Sequence, residues 1–237
     1  MTDFFDLLKS ECETQGISLP VSAKAQLKTY MELLIDWNSR MNLTAITEPQ
    51  EIYLKHFYDC LLFFKYCNPE ENATLIDVGT GAGFPGVVLG IARPDLKITL
   101  LDSLQKRLTF LEAVKSELGL SFTLVHSRAE DGGQKPNLRE QFQIATARAV
   151  ARLNVLSEYC LPYVKPGGVF VSMKGPAGYS EAEEAAAAAK KLGGEPFSVF
   201  KETLSDSSVR CFCITKKISQ TPTTFPRSPA KIAKKPL

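Results

Sequence analysis

Asp77, Gly79, Gly81 and Gly83 stand at the end of an apolar run, Thr74-Leu75-Ile76-Asp77-Val78, in the spacing Asp-x-Gly-x-Gly-x-Gly. Glycines in such a turn let the backbone take conformations closed to other residues and clear side chains from the path of a ligand. A strand that ends this way holds a nucleotide-like cofactor. Gly81, Gly83 and Gly86 also satisfy the dinucleotide pattern G-x-G-x-x-G, in which a helix behind the glycines receives a pyrophosphate on its amides. Here Gly79 already closes the strand, and Pro85 stands where that helix needs N–H groups. A ligand without phosphates fits better, and the acidic Asp77 suits S-adenosylmethionine, whose sulfonium and ammonium are cationic. A dinucleotide and a purely structural turn are the alternatives.

Asp102 ends the next apolar run, Ile98-Thr99-Leu100-Leu101, about twenty residues beyond the glycines, where a carboxylate can accept ribose hydroxyls. Its other reading is an N-cap, since Ser103-Leu104-Gln105-Lys106-Arg107 opens a helical pattern. No metal chemistry is expected. The six cysteines, at 12, 60, 67, 160, 211 and 213, lack paired C-x-x-C spacing, and Cys211 and Cys213 share one face of a strand as small core groups.

The elements that must position these residues follow from periodicity. Three helix-like segments come first, Asp3 to Thr14, Ser22 to Asn38 and Gln50 to Phe64, with apolar residues at helical spacing such as Leu27, Tyr30, Leu33, Leu34 and Trp37. Beyond Asn68-Pro69-Glu70-Glu71-Asn72 strands alternate with helices. Strands are expected at Thr74–Val78, Lys97–Leu101, Ser121–Val125, Phe142–Thr146 and Gly168–Met173, which implies a parallel sheet with helices on both faces. Ser180 and Glu183 have capping-box spacing at the start of a helix that stops at Gly193. Two final strands, Pro196–Phe200 and Val209–Thr215, are separated by too few residues for a crossover helix and so pair antiparallel. The fold expected is α/β: a Rossmann-like class I methyltransferase with a mostly parallel seven-stranded sheet, a terminal antiparallel hairpin and an N-terminal helical extension.

The chain of 237 residues can bury one substantial core, and its net charge of +2 hides a division. From Lys216 onward there are six basic residues, Lys216, Lys217, Arg227, Lys231, Lys234 and Lys235, and no acidic ones, which leaves a body with 22 basic and 26 acidic residues. A basic end interspersed with Pro222, Pro226, Pro229 and Pro236 reads either as a flexible arm for a polyanion or as a solubilising tail. If all six cations neutralised phosphates of single-stranded RNA, binding would follow a log-log salt slope of about −4. No stretch of about eighteen apolar residues occurs and the N-terminus is acidic, so a cytoplasmic protein without membrane contact is expected.

The chain resembles the bacterial small-subunit ribosomal RNA guanine-N7 methyltransferases of the glucose-inhibited division protein B family along nearly its whole length. The resemblance rests on Trp37-Asn38 with Asn42-Leu43-Thr44-Ala45-Ile46, on His56-Phe57-Tyr58-Asp59, and on Asp77 to Gly86. Leu101-Asp102-Ser103 with Lys106-Arg107, Thr146-Ala147-Arg148-Ala149, Pro226-Arg227 and Lys234-Lys235-Pro236-Leu237 complete it. Cys60 stands where a serine is usual, and Ala230-Lys231-Ile232 departs from the usual tail. The resemblance implies methyl transfer from S-adenosyl-L-methionine to N7 of a guanine in 16S rRNA, free or in the small ribosomal subunit, and a monomer is expected. It implies cofactor contacts at Gly79, Phe84, Ala129, Glu130 and Arg148, with backbone groups of Ala129 and Glu130 reading the adenine edge. Phe84 reads otherwise as core, and Glu130 beside Asp131 as a solvated acidic pair. Three units are expected: a helical segment at 1–68 packed on the catalytic domain, the methyltransferase domain at 69–217, and a basic flexible tail at 218–237.

Guanine N7 offers an in-plane lone pair and no proton, so the transfer needs alignment and no general base. No catalytic acid or base is therefore expected, and His56 is read as a packing or RNA-contact residue and His126 as a strand end. Arg148 and Lys174, after the fourth and fifth strands, are candidates for RNA phosphate or guanine O6 contact. Arg148 has a second reading, as partner of the cofactor carboxylate or of an internal carboxylate such as Asp77. Phe57, Tyr58 and Phe84 are candidates for stacking on an extruded base. Rival functions are a small-molecule methyltransferase and a noncatalytic rRNA-binding assembly factor.

Overall fold

Side chains on β1 (Thr74–Val78) alternate between two cores, which decides where its one carboxylate goes. Leu75 packs into a core built with the N-terminal helices, while Ile76 and Val78 pack into a second core on the opposite face of the sheet. Asp77 therefore shares Leu75's face, as the two-residue period of a strand requires. The structure is a computed structural model that describes residues 4–237; the expected helix start at Asp3 and the first three residues of the acidic N-terminus, Met1 to Asp6, lie outside them.

The N-terminal layer contains α1 (Phe4–Thr14), α2 (Ala23–Met41), α3 (Pro49–Ile52), a π-helical turn at Tyr53–Tyr58, α4 (Asp59–Leu61) and α5 (Phe63–Tyr66). Helix α2 buries Leu27, Tyr30 and Leu34 and ends where Asn42 turns left-handed at φ 50°. The segment expected as one helix over Gln50–Phe64 is interrupted. Its π turn inserts a wider coil, a local feature that hydrophobic spacing does not distinguish from ordinary helix.

The sheet has the order β3-β2-β1-β4-β5-β7-β6. Strand β1 is followed by α6 (Gly86–Ala92), β2 (Lys97–Asp102) by α7 (Gln105–Leu118), β3 (Phe122–His126) by α8 (Ala129–Gly132), and β4 (Phe142–Arg148) by α9 (Leu153–Cys160). Next come β5 (Val164–Lys174), α10 (Gly178–Lys191), β6 (Ser198–Thr203), β7 (Val209–Lys216) and α11 (Pro229–Lys234). The first five strands run parallel, and β7 pairs antiparallel with β5 and β6. Reversal of strand order beside β1 opens a crevice between the carboxyl ends of β1 and β4, the usual place for a ligand in such a sheet. Among the described residues no helix is long and apolar enough to cross a membrane.

Two local expectations are corrected. The Ser180–Glu183 capping box does not form, because α10 opens at Gly178 and the Ser180 hydroxyl donates to the Ala177 carbonyl. Glu181 in the first turn instead faces inward, where it accepts the Leu153 amide and pairs with Lys174. The segment 218–237, expected as a flexible tail, is packed on the body. Lys217 is fully buried, and its ammonium donates to the Leu161 and Val164 carbonyls and to Thr221 while pairing with Glu140. Arg227 forks onto the buried Glu158 at 2.8 and 2.6 Å, and Arg139 donates to the carbonyls of Thr221 and Phe225, both at 2.7 Å. Two of the six terminal cations are thus engaged with internal carboxylates far away in sequence.

Candidate active site

The glycine turn closes over the end of β2. The amides of Gly79 and Thr80 both donate to the Leu101 carbonyl, at 2.8 and 3.0 Å, and the Gly81 amide donates to Asp102 Oδ2 at 2.9 Å. Gly81 and Gly83 both have positive φ, but for different reasons. A Cβ on Gly81 would meet nothing nearer than the Gly79 carbonyl at 4.0 Å, so the space above it is open. A Cβ on Gly83 would lie 2.6 Å from both the Tyr30 hydroxyl and Val87 Cγ2. Gly81 leaves a cradle, whereas Gly83 lets α2 approach the turn. Tyr30 uses that approach to donate to the Ala82 carbonyl at 2.5 Å.

A cavity of about 530 Å³ lies over this turn, within the range that encloses small-molecule ligands. Of the residues expected to touch a cofactor, Gly79, Gly81, Phe84, Asp102, Ala129, Glu130 and Arg148 line it. Asp77 and Gly83 do not. The direct role expected for Asp77 is replaced by an indirect one, because its fully buried Oδ2 accepts the Thr80 hydroxyl at 2.7 Å and the Gly86 amide at 2.9 Å. Burial pushes its carboxyl up to about 6, against the opposing effect of those two donors.

Asp102 is 2% exposed and holds three donors: Gly81 N–H, Leu104 N–H at 2.9 Å and Arg107 Nη1 at 3.3 Å. A carboxylate has about four acceptor positions, which leaves one for a ligand hydroxyl. The N-cap position of α7 belongs to Leu104, so Asp102 braces the loop before the helix and does not cap it. Ala129 and Glu130 begin α8. Glu130 is 6% exposed, which removes the solvated-pair reading, and the Ala129 carbonyl already accepts the Tyr163 hydroxyl at 2.6 Å. The Gly133 amide donates to the same oxygen at 3.0 Å, so the Ala129 carbonyl has no lone pair left to read a ring edge.

The opposite end of the cavity is built by the N-terminal layer. His56 stacks on Phe84 with ring centroids 4.4 Å apart, and the Arg148 guanidinium lies 4.8 Å from the same ring. Arg148 donates to Asp59 Oδ2 at 3.0 Å, to the Lys55 carbonyl at 3.2 Å and to His56 Nδ1 at 3.1 Å. Its internal carboxylate is therefore Asp59, not Asp77, and Asp59 is shared with Arg210 at 3.2 Å. Burial and the neighbouring Arg148 hold His56 down at about 3. Its other nitrogen contacts Thr44 Oγ1 at 2.8 Å. Phe57 and Tyr58 are buried, Phe57 against Tyr30, so neither is available to stack on a base.

His56, Arg148 and Ala149 also form the wall of a second cavity of about 340 Å³, which reaches Asp59, Lys174 and Arg210. Lys174 is not a free cation there: its ammonium donates to the Ala151 carbonyl at 2.7 Å and pairs with Glu181 at 2.8 Å, with a side chain only 10% exposed. His56, read as a packing or RNA-contact residue, packs on Phe84 at the cavity wall, whereas sequence reasoning misses Thr44 and Asp59 as cavity-building groups. The sole signal for Thr44 and Asp59 is their place in the Asn42–Ile46 and His56–Asp59 stretches.

This donor set fits S-adenosylmethionine. Carboxylates stand at one end of the cavity, the open cradle at Gly81 lies in the middle, and a guanidinium is held at the other end. It does not fit a pyrophosphate. The first two amides of α6 are used internally, Gly86 by Asp77 and Val87 by the Gly83 carbonyl at 2.8 Å.

Solved structures with the same fold include a methyltransferase from Pyrococcus furiosus, with a TM-score of 0.54 at 15% identity over 83% of this chain and 98% of that one. An S-adenosylmethionine-dependent O-methyltransferase from Thermotoga maritima has a TM-score of 0.53 at 17% identity over 80% and 72%. The sheet is thus that of the Rossmann-like class I methyltransferases. Sequence relatives are closer. Ribosomal RNA small subunit methyltransferase G of Alkaliphilus metalliredigens is 47% identical over 233 residues, 98% of each chain. The protein of the same name from Clostridium perfringens strain 13 is 45% identical over 236 residues, 99% of each. The family model for rRNA small subunit methyltransferase G matches residues 23–208, from α2 through the β6–β7 turn, and the chain belongs to that family.

Proposed function

We propose that this protein transfers a methyl group from S-adenosyl-L-methionine to N7 of a specific guanine in 16S rRNA, as a cytoplasmic monomer with no membrane contact. Residues 1–68 and 69–217 act as one catalytic unit in this reading, since a single core joins the helical layer to the sheet. The four terminal cations outside the buried ion pairs, Lys216, Lys231, Lys234 and Lys235, face the RNA. The single observation that carries the proposal is the state of His56. The one imidazole at the cavity is neutral, has its basicity suppressed to about 3 and has both nitrogens engaged. A cavity arranged this way suits a nucleophile that has no proton to lose, as guanine N7 does.

S-adenosylmethionine supplies an electrophilic methyl group when bound. The chain's own residues supply position. Asp102 accepts a ribose hydroxyl, the amides at the start of α8 meet the adenine edge, and Phe84 lines the cavity against His56. Arg148, fixed by three acceptors, holds its charge at the end where the methionine carboxylate lies. Rigid placement of both partners raises the rate by alignment.

The test incubates the protein with tritiated S-adenosylmethionine and rRNA, either deproteinised or as 30S subunits, from a strain that lacks it. Label in 16S rRNA is the expected result. Cofactor binding by calorimetry with no label in either form would refute the rRNA assignment and favour a small-molecule acceptor or a noncatalytic role.

A further inference from the structure

The loop that follows α2 is built to hold one hydroxyl. Asn38 Oδ1 accepts the amides of Leu43 and Thr44, at 2.6 and 2.9 Å, and so folds the chain back once Asn42 has ended the helix. Thr44 Oγ1 then accepts the Ile46 amide at 3.0 Å and lies 2.8 Å from His56 Nε2.

The direction of that last bond follows from Arg148. A guanidinium only donates, so His56 Nδ1, 3.1 Å from Arg148 Nη2, must be the bare nitrogen. The imidazole proton is therefore on Nε2 and points at Thr44. With two N–H groups on its oxygen, the Thr44 hydroxyl has both lone pairs occupied and only its own proton to offer. Among the described residues no acceptor for that proton is found, and Thr44 lines the main cavity beside His56 and Phe84. An ordinary threonine rotates and either donates or accepts; this one is locked as a donor.

We propose that Thr44 donates this hydrogen bond to O6 of the target guanine and selects guanine over adenine, with His56 as the residue that positions it. Guanine presents two acceptors, N7 and O6, on one edge, whereas adenine presents N7 beside an amino donor. A locked donor next to the reacting nitrogen pairs with the first and meets a proton from the second. A bond to O6 also aligns N7 in the base plane, the alignment on which the transfer depends. A neutral hydroxyl suits a neutral carbonyl, while Arg148 matches the cofactor's carboxylate. The inference rests on the rRNA methyltransferase reading above.

The test uses Thr44→Val, which keeps the shape and removes the hydroxyl, and Thr44→Ser as the conservative rescue. The acceptors are reconstituted small subunits carrying guanine, or 2-aminopurine without O6, at the mapped position. Expected for Thr44→Val on guanine is a fall in kcat/KM of about tenfold, the scale of one lost hydrogen bond. S-adenosylmethionine affinity by calorimetry stays within twofold, and Thr44→Ser stays within threefold of wild type in kcat/KM. On 2-aminopurine the wild type loses activity and Thr44→Val loses nothing further. Thr44→Val with wild-type kcat/KM, losses that multiply across variant and analogue, or a tenfold drop in cofactor affinity would each overturn the proposal. Wild-type protein that labels no rRNA would refute the function itself, and this inference with it.

Discussion

Gly81 and Gly83 stand two residues apart in one turn, and the structure assigns them opposite jobs that a pair of identical substitutions separates. At Gly81 the backbone φ is +62°, and a Cβ would project into open cavity. Asparagine tolerates the left-handed region, so Gly81→Asn is expected to change folding stability by no more than about 1 kcal/mol. Its side chain fills the cradle, and S-adenosylmethionine affinity is expected to fall at least about 100-fold, equivalent to about 2.7 kcal/mol. At Gly83 the same side chain enters a packed contact, with Tyr30, Val87 and Leu111 all within 3 Å of its Cβ. Overpacking there costs roughly 1–3 kcal/mol, and displacement of the Tyr30 hydroxyl from the Ala82 carbonyl costs about 1 kcal/mol more. Backbone strain at φ +100° adds to both. Gly83→Asn is therefore expected to lose several kcal/mol in urea unfolding, with the molecules that stay folded binding cofactor far better than Gly81→Asn. Calorimetry with S-adenosylmethionine alongside urea melts reads both quantities. Near-native cofactor affinity in Gly81→Asn, or native stability with lost affinity in Gly83→Asn, would refute the assignment.

Three further outcomes follow from where charge is placed. His56 takes a proton near 6.5 when unfolded but only near 3 when folded, so it stabilises the fold above 6.5 and that contribution drains away as pH falls toward 3. Asp77, raised from 3.8 to about 6, works in reverse: its buried charge destabilises the fold above 6, and the penalty is relieved as pH falls to 3.8. Between pH 6 and 4 the two effects cancel, so Asp77→Asn is expected to steepen the loss of stability by about 1.4 kcal/mol per pH unit in urea titrations, and an unchanged slope would count against the assignment for Asp77. Arg227→Ala strands the fully buried Glu158 and is expected to cost about 3–5 kcal/mol of stability and to expose residues 218–237 to limited proteolysis; native stability would show that the ion pair does not hold the tail. Neutralising the four remaining terminal lysines to glutamine is expected to reduce the log-log salt slope of RNA binding by about 3, and an unchanged slope would mean that these lysines do not reach phosphate.

What was legible in the sequence was whatever depends on neighbours along the chain. The glycine turn, the order of strand and helix, and the antiparallel hairpin are written in period and spacing. Asp77 and Gly83 belong to the same motif, yet their side of the turn depends on which face of β1 meets the N-terminal helices. That is a tertiary fact. Arg148 could be placed at the end of β4, but its carboxylate partner, Asp59, comes from a π turn that hydrophobic spacing reads as plain helix. Charge counting leaves Lys217 and Arg227 free and strand order brings Lys174 to the site, because neither sees Glu140, Glu158 and Glu181, which meet them only after folding. Thr44 and His56 were visible as residues, and their chemistry emerges only from the bond directions that Arg148 imposes.

The most direct test of the central claim is to identify the methylated atom. The protein is incubated with S-adenosylmethionine and 30S subunits from a strain lacking it, and the 16S rRNA is then cleaved chemically at 7-methylguanine. The expected result is strand scission at a single guanine, absent when Gly81→Asn replaces the wild type. Methyl incorporation without scission, or scission at many guanines, would contradict a cavity built to align one N7 with one methyl group.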